Sequence, residues 1–229
     1  MEKLQYLKDF VSEPLTDFHC LKDFCSGIEA MDHFIQRDFR LSVENHYCTA
    51  YSVRYHGELV AIFALSFDSL DLDSDDKEEL QTGVSSTGTP DVDWNYQNTF
   101  YAKPRYPTLD IAYLAVKKEW RNKHIGKFLI NQIAEKARSQ SFAGCQFLTV
   151  EAYATKEYSA VGFYERCGFA PSEIKKPYKD TLRMYTQKMT LLIYKPVSDH
   201  FAANLCPDIE FRFLFTRVIL SFDSSQSMI

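Results

Sequence analysis

No stretch of the chain stays apolar for the roughly 20 residues that a membrane-spanning helix needs. The opening Met1-Glu2-Lys3-Leu4-Gln5-Tyr6-Leu7-Lys8-Asp9 scatters charge where a secretion signal would carry an apolar core, so no export is expected. The cysteines, at positions 20, 25, 48, 145, 167 and 206, include no Cys-x-x-Cys pair. None stands beside a histidine at metal-ligand spacing, since His19-Cys20 and His46-x-Cys48 are isolated. That pattern opposes a disulfide framework and a zinc site and predicts reduced thiols in a cytoplasmic protein without a metal. Positive charge is also scarce: 26 Lys and Arg face 31 Asp and Glu, a net charge of −5. No global field therefore favours nucleic acid, although local basic patches lie at residues 117–127 and 175–179.

What is present reads as a globular chain. Hydrophobic residues make up 45% and charged residues 25% of the sequence, which suits a core with a solvated surface. At 229 residues the length fits one medium domain, or a domain with an extension. Residues 15–21, after Pro14, suit a first strand or a turn. The spacing then predicts a helix over residues 26–43. Ile28, Met31, Phe34 and Ile35 share one face, and Ser26 with Glu29 three positions later forms a capping box. Residues 47–55 and 59–67 read as strands joined by the hairpin His56-Gly57-Glu58. The second is nearly all apolar, as a buried central strand is.

Residues 68–106 interrupt this pattern with an acidic run at 68–79, a Gly/Ser/Thr stretch at 82–90, and the aromatics Trp94, Tyr96, Phe100, Tyr101 and Tyr106. The acidic run reads as a solvated loop or a helix start. The aromatics read as packing the segment down, with a substrate-binding lip as the alternative.

The chain is organised around residues 109–130, which read as strand, basic loop and helix. The strand carries one acid, Asp110, near its start. The loop carries Arg121, Lys123, His124 and Lys127 around Gly126, and the helix repeats Phe128, Leu129, Ile133 and Ala137 at helical spacing. A strand that feeds a helix through a basic turn gathers free backbone N–H groups and positive side chains, which suits an anion, most often phosphate. A strand at 145–152, a helix at 158–167 stopped by Gly168, and an alternating strand at 182–189 follow. Beyond residue 190, the apolar run 211–222 suits a strand or helix used for packing or subunit contact.

Two of these segments resemble signatures of the GNAT acetyltransferase family. Ala115-Val116 followed by Arg121-x-x-His124-x-Gly126 is similar to the family's strand end and its Gln/Arg-x-x-Gly-x-Gly/Ala loop. His124 stands where the family has its middle glycine. The second signature is Phe163-Tyr164-x-x-x-Gly168-Phe169, separated from the first by a helix and a strand, as in the family. The helix start Phe24, Gly27, Asp32 and Phe34 is similar to that of a toxin-like branch that modifies the amino group of aminoacyl-tRNA.

The resemblance implies an α/β (α+β) fold, with a central, mixed, mostly antiparallel twisted sheet flanked by helices and splayed at its central strands. It places an acetyltransferase domain at residues 1–190, with 68–106 inserted and 191–229 as an extension. It implies direct, acetyl-CoA-dependent transfer to a primary amine. Leu114, Ala115 and Val116 would pair with pantetheine. Backbone N–H groups of Asn122, Lys123, His124, Ile125, Gly126 and Lys127 would meet the pyrophosphate, with Arg121 and Lys123 adding charge. Tyr164 is placed as general acid. Asp110 is the candidate base, where histone-type members carry a glutamate; Glu151 and a water chain are the alternatives. The acceptor is a small molecule, a protein or aminoacyl-tRNA, and a homodimer is one use for the extension. The competing reading is a non-catalytic CoA-binding or interaction module, which the presence of Tyr164 opposes.

Overall fold

A computed structural model describes residues 9–82, 97–172 and 180–186. Seven strands form one sheet in the order β1-β2-β3-β4-β5-β7-β6. They are β1 (Phe10–Pro14), β2 (Thr49–Tyr55), β3 (Glu58–Leu70), β4 (Tyr106–Val116), β5 (Phe147–Tyr153), β6 (Phe169–Pro171) and β7 (Thr181–Thr186). Every pairing is antiparallel except that of β4 with β5. This is the mixed, mostly antiparallel sheet that the family resemblance implies.

The expected hairpin is present. His56 (φ 47°) and Gly57 (φ 86°) both take positive φ, as a two-residue turn matched to strand twist requires. The apolar run of β3 is buried on both faces. Ala61, Phe63 and Leu65 join one core cluster, while Ile62 and Ala64 join another. The edge strand β1 precedes the expected position and ends at Pro14, where a missing N–H costs nothing at an edge. Residues 15–21 take the turn alternative, with a 3₁₀ turn at Phe18–Leu21.

The helix expected over 26–43 is two helices, α1 (Glu29–Arg37) and α2 (Phe39–Glu44), divided at Asp38. Ser26 is not the N-cap. Gly27 turns the chain with φ 77°, which puts Ser26 outside the helix and makes Ile28 the cap position. The carboxylate of Asp32 organises the turn instead, accepting from the backbone N–H of Ser26 at 2.6 Å and of Gly27 at 3.1 Å.

Two further helices, α3 (Ser74–Thr82) and α4 (Gln97–Ala102), lie between β3 and β4. The acidic run covers the end of β3 and then the start of α3, and Asp76 within it is buried and accepts from the Tyr185 hydroxyl at 3.1 Å. Phe100 and Tyr106 pack with Phe147 and Tyr185 in a third apolar cluster, so these two aromatics do hold the segment down. Trp94, Tyr96 and residues 83–90 of the Gly/Ser/Thr stretch lie outside the described residues.

On one sheet face lies α5 (Ile125–Ser139), which buries Ile125, Leu129, Ile130, Ile133, Ala134 and Ala137. Leu129 and Ile133 are fully enclosed, each contributing about 1.5–3 kcal/mol of burial. On the other face, α1 and α2 bury Met31, Ile35 and Phe39. After β5 comes the short α6 (Val161–Arg166). Gly168 (φ 91°) ends it, its N–H donating to Glu165 O at 2.9 Å. The basic patch 175–179, the last part of the strand expected at 182–189, and the extension 191–229 fall outside the described residues. Among the described residues, no helix is long and apolar enough to cross a membrane.

Candidate active site

The site begins with a register shift. Ala64 faces Tyr113 and Leu65 faces Ile111, so Ala112 is an extra residue on β4. Such a bulge bends and twists its strand. On its other side, β4 pairs with β5 only through Thr108, Asp110 and the residue between them, opposite Phe147 to Thr149. Beyond Asp110 the two strands part, and β5 continues in register with β7. The central strands are therefore splayed, and a cavity of 1120 Å³ opens there.

Leu114, Ala115 and Val116 line the cavity from β4. Its basic end is the loop between β4 and α5. Asn122 (φ 61°) and His124 (φ 62°) both adopt the left-handed conformation, which L-residues pay strain to hold. His124 is thus a side-chain-bearing residue in a glycine-like backbone state, which accounts for its departure from the family pattern. It occupies the N-cap position of α5 without a side-chain cap bond. The first N–H groups of the helix, on Ile125, Gly126 and Lys127, have no carbonyl one turn back to bond, so this end attracts anions. Arg121, Asn122, His124, Ile125, Gly126 and Lys127 all line the cavity. Lys123 does not; its ammonium lies 4.4 Å from the centre of the Trp120 ring. Arg166 joins the lining from α6, and Arg121 lies 5.8 Å over the Tyr158 ring.

The other end of the cavity holds the titratable groups. Asp110 is 8% exposed. Its Oδ1 accepts from Thr149 Oγ1 at 2.8 Å and from Arg183 Nη1 at 3.1 Å. Burial pushes its carboxyl up to about 6, against the lowering pull of Arg183 and Thr149, while the charges of Asp68 and Glu151 add to the rise. Glu151 is half-buried on β5 and accepts from Thr181 Oγ1 at 3.2 Å. Tyr164 comes from α6 and is 6% exposed, its ring set between Phe163 (5.0 Å) and Phe169 (5.3 Å). Burial pushes its phenol well above the usual value, and the charge of Asp110 contributes to that rise. The phenol therefore stays protonated at neutral pH. The cavity thus brings Asp110, Glu151 and Tyr164 together with every expected cofactor residue except Lys123.

Among the lining residues that the sequence did not mark as part of a site are Asp68, Arg166, Thr181 and Arg183. Arg183 carries a signal, a charge inside the otherwise apolar alternation Leu182-Arg183-Met184-Tyr185. Asp68 looked like the first member of an acidic surface run.

An α/β sheet opened at its parallel pair, with an anion-attracting helix start at one end and proton-exchanging groups at the other, has the build of an acyl-transfer enzyme. The family model for the acetyltransferase (GNAT) family matches residues 15–169, more than half of the chain, and the chain belongs to that family.

Among solved structures, the chain is similar to one described as a bacterial toxin, with 17% identity and a TM-score of 0.57 over 80% of this chain and 93% of that one. It is similar to AtaTR bound with AcCoA, at 21% identity and TM-score 0.56 over 81% and 98%. It is also similar to AtaT complexed with acetyl-methionyl-tRNAfMet, at 20% identity and TM-score 0.56 over 80% and 99%. At these identities the likeness establishes the fold. No curated protein matches the chain.

Proposed function

We propose that the protein transfers an acetyl group from acetyl-CoA directly to a primary amine, with Asp110 as base and Tyr164 as acid. The observation that carries this reading is the parting of β4 from β5 immediately after Asp110. It opens a cavity from the N-terminus of α5 to Asp110 and Tyr164.

The residues present fit the cofactor. The backbone of Leu114 to Val116 lines the gap and offers strand-like pairing to the amides of pantetheine. The N–H groups at the start of α5, with Arg121, Lys127 and Arg166 nearby, suit the phosphates. When bound, acetyl-CoA supplies the activated carbonyl. Asp110 takes a proton from the acceptor's ammonium, and the freed nitrogen forms the new C–N bond as the C–S bond breaks. Tyr164 gives its proton to the leaving sulfur, and the second proton that the nitrogen sheds as the amide forms passes through solvent to restore the Tyr164 hydroxyl. Lys123, whose ammonium lies over the Trp120 ring, adds positive charge to the same loop.

A second reading concerns the acceptor alone. The fold shared with AtaT, a structure of which holds acetyl-methionyl-tRNAfMet, favours the amino group of aminoacyl-tRNA in the cytoplasm. The net charge of −5 opposes it.

Calorimetric titration with acetyl-CoA beside desulfo-CoA tests the cofactor site. Radiolabelled transfer to polyamines, peptides and aminoacyl-tRNA tests the acceptor. Binding with turnover on one acceptor class supports the reading. Binding without turnover on any of them makes the chain a CoA-binding module, and no binding removes the cofactor site.

A further inference from the structure

Arg183 is 6% exposed and reaches across the sheet from β7. Its Nη2 donates to Asp68 Oδ2 on β3 at 2.7 Å. Its Nη1 donates to Asp110 Oδ1 on β4 at 3.1 Å and lies 3.5 Å from Glu151 Oε1 on β5. One guanidinium therefore binds carboxylates from three strands, all at the wall of the cavity. A buried ion group of this kind is a weak source of stability, because desolvation offsets the attraction.

The bonds to Asp110 are unevenly placed. Thr149 and Arg183 both donate to Oδ1, so Oδ2 is the oxygen left to exchange a proton. We propose that Arg183 is a positioning residue for proton transfer: it holds Asp110 ionised, with Oδ2 presented to the acceptor nitrogen, while Asp68 and Glu151 share its charge and temper that hold. This rests on the acetyl-transfer reading above. In the step, the acceptor's ammonium loses one proton, Oδ2 gains it, and Arg183 stays charged.

The groups facing Asp110 are Asp68 from β3, Thr149 and Glu151 from β5, Arg183 from β7 and Tyr164 from α6. Their signs give opposite expectations. Removing the Arg183 charge removes a pull that favours ionised Asp110. Neutralising Asp68 or Glu151 removes a repulsion that disfavours it.

The test combines two readouts on the full chain. One is the carbon-13 carboxyl titration of Asp110 without cofactor; the other is the pH profile of kcat/KM. Arg183→Met is expected to move the Asp110 titration, and with it the acid limb of kcat/KM, to higher pH by about one pH unit or more. Arg183→Lys is expected to restore most of the original position. Asp68→Asn and Glu151→Gln are expected to move both to lower pH, and they carry the test if Arg183→Met does not fold. KM for acetyl-CoA is expected to hold within about twofold in all of them, because the interaction lost serves the chemical step.

A titration that ignores both Arg183→Met and Asp68→Asn overturns the proposal whatever the turnover. A titration that moves while the acid limb stays in place overturns it also. If the wild-type chain binds acetyl-CoA yet acetylates no amine, the acetyl-transfer reading is what fails, while the cofactor-free titration reads the hold of Arg183 on Asp110 separately.

Discussion

The ring of Phe163 lies so close to Gly126 that a Cβ built on the glycine would stand 3.0 Å from Phe163 Cζ. The start of α5 and the helix bearing Tyr164 therefore touch through the one residue type that lets them. Gly126→Ala is expected to push the ring aside and destabilise the protein by about 1 kcal/mol, toward the low end for overpacking because the ring edge can yield. The check is the urea midpoint with an unchanged slope, together with acetyl-CoA affinity, which should fall as the first turn of α5 shifts. An unchanged midpoint would mean that the ring moves freely.

His124 holds φ 62° and ψ 5° at the N-cap of α5, a state that costs an L-residue about 1–2 kcal/mol. His124→Gly is expected to bind acetyl-CoA at least as tightly as the parent, since the phosphate contacts come from backbone N–H groups. His124→Val, β-branched in a left-handed state, is expected to weaken binding about tenfold. Calorimetry on the two variants checks this. Loss of binding in His124→Gly would give the imidazole itself a role at the phosphates.

The parts of this molecule written in short-range pattern were legible in the sequence. The hairpin at His56-Gly57 follows from turn chemistry, α5 from apolar spacing, and the end of α6 from Gly168. The cofactor loop was legible as chemistry, although not the left-handed backbone that lets His124 replace a glycine. The acid end was only partly legible. Arg183 meets Asp110 across 73 positions and Asp68 across 115, so local periodicity holds no trace of their contact. Asp76 and Asp68 sat together in what reads as an acidic surface run, yet one is buried against Tyr185 and the other faces the cavity. The break at Asp38 escaped for a related reason, because the apolar face continues from Ile35 to Phe39 without a sequence signal for two helices.

Asp32 ties down the turn that launches α1. Besides the backbone bonds from Ser26 and Gly27, its Oδ2 accepts from Cys25 Sγ at 3.4 Å. Burial acts to raise its carboxyl, but the bonds from Ser26, Cys25 and Gly27 together hold it below the usual value. A depressed carboxyl favours the folded state above the ordinary aspartate range, and that contribution disappears as pH falls through the depressed value. Asp32→Ala is therefore expected to cost about 1 kcal/mol at neutral pH, as loss of a cap does, and progressively less in acid. Denaturation of both proteins at neutral and acidic pH measures the difference, and a gap that stays constant in acid would show that the charge is not what matters.

Tyr164 offers the sharpest test of the chemistry. Its ring is held between Phe163 and Phe169, so Tyr164→Phe keeps the packing and removes only the hydroxyl. With the phenol raised by burial, the wild-type group is protonated throughout the neutral range and able to give its proton to the leaving sulfur. The variant is expected to bind acetyl-CoA within about twofold of the parent and to lose about 100-fold or more in kcat, the low end for loss of general acid catalysis. The loss should narrow with a thioester whose thiol is more acidic, because such a leaving group needs less protonation. If kcat falls equally for both thioesters, the hydroxyl serves to orient the reactants, and if kcat does not fall at all, water protonates the sulfur.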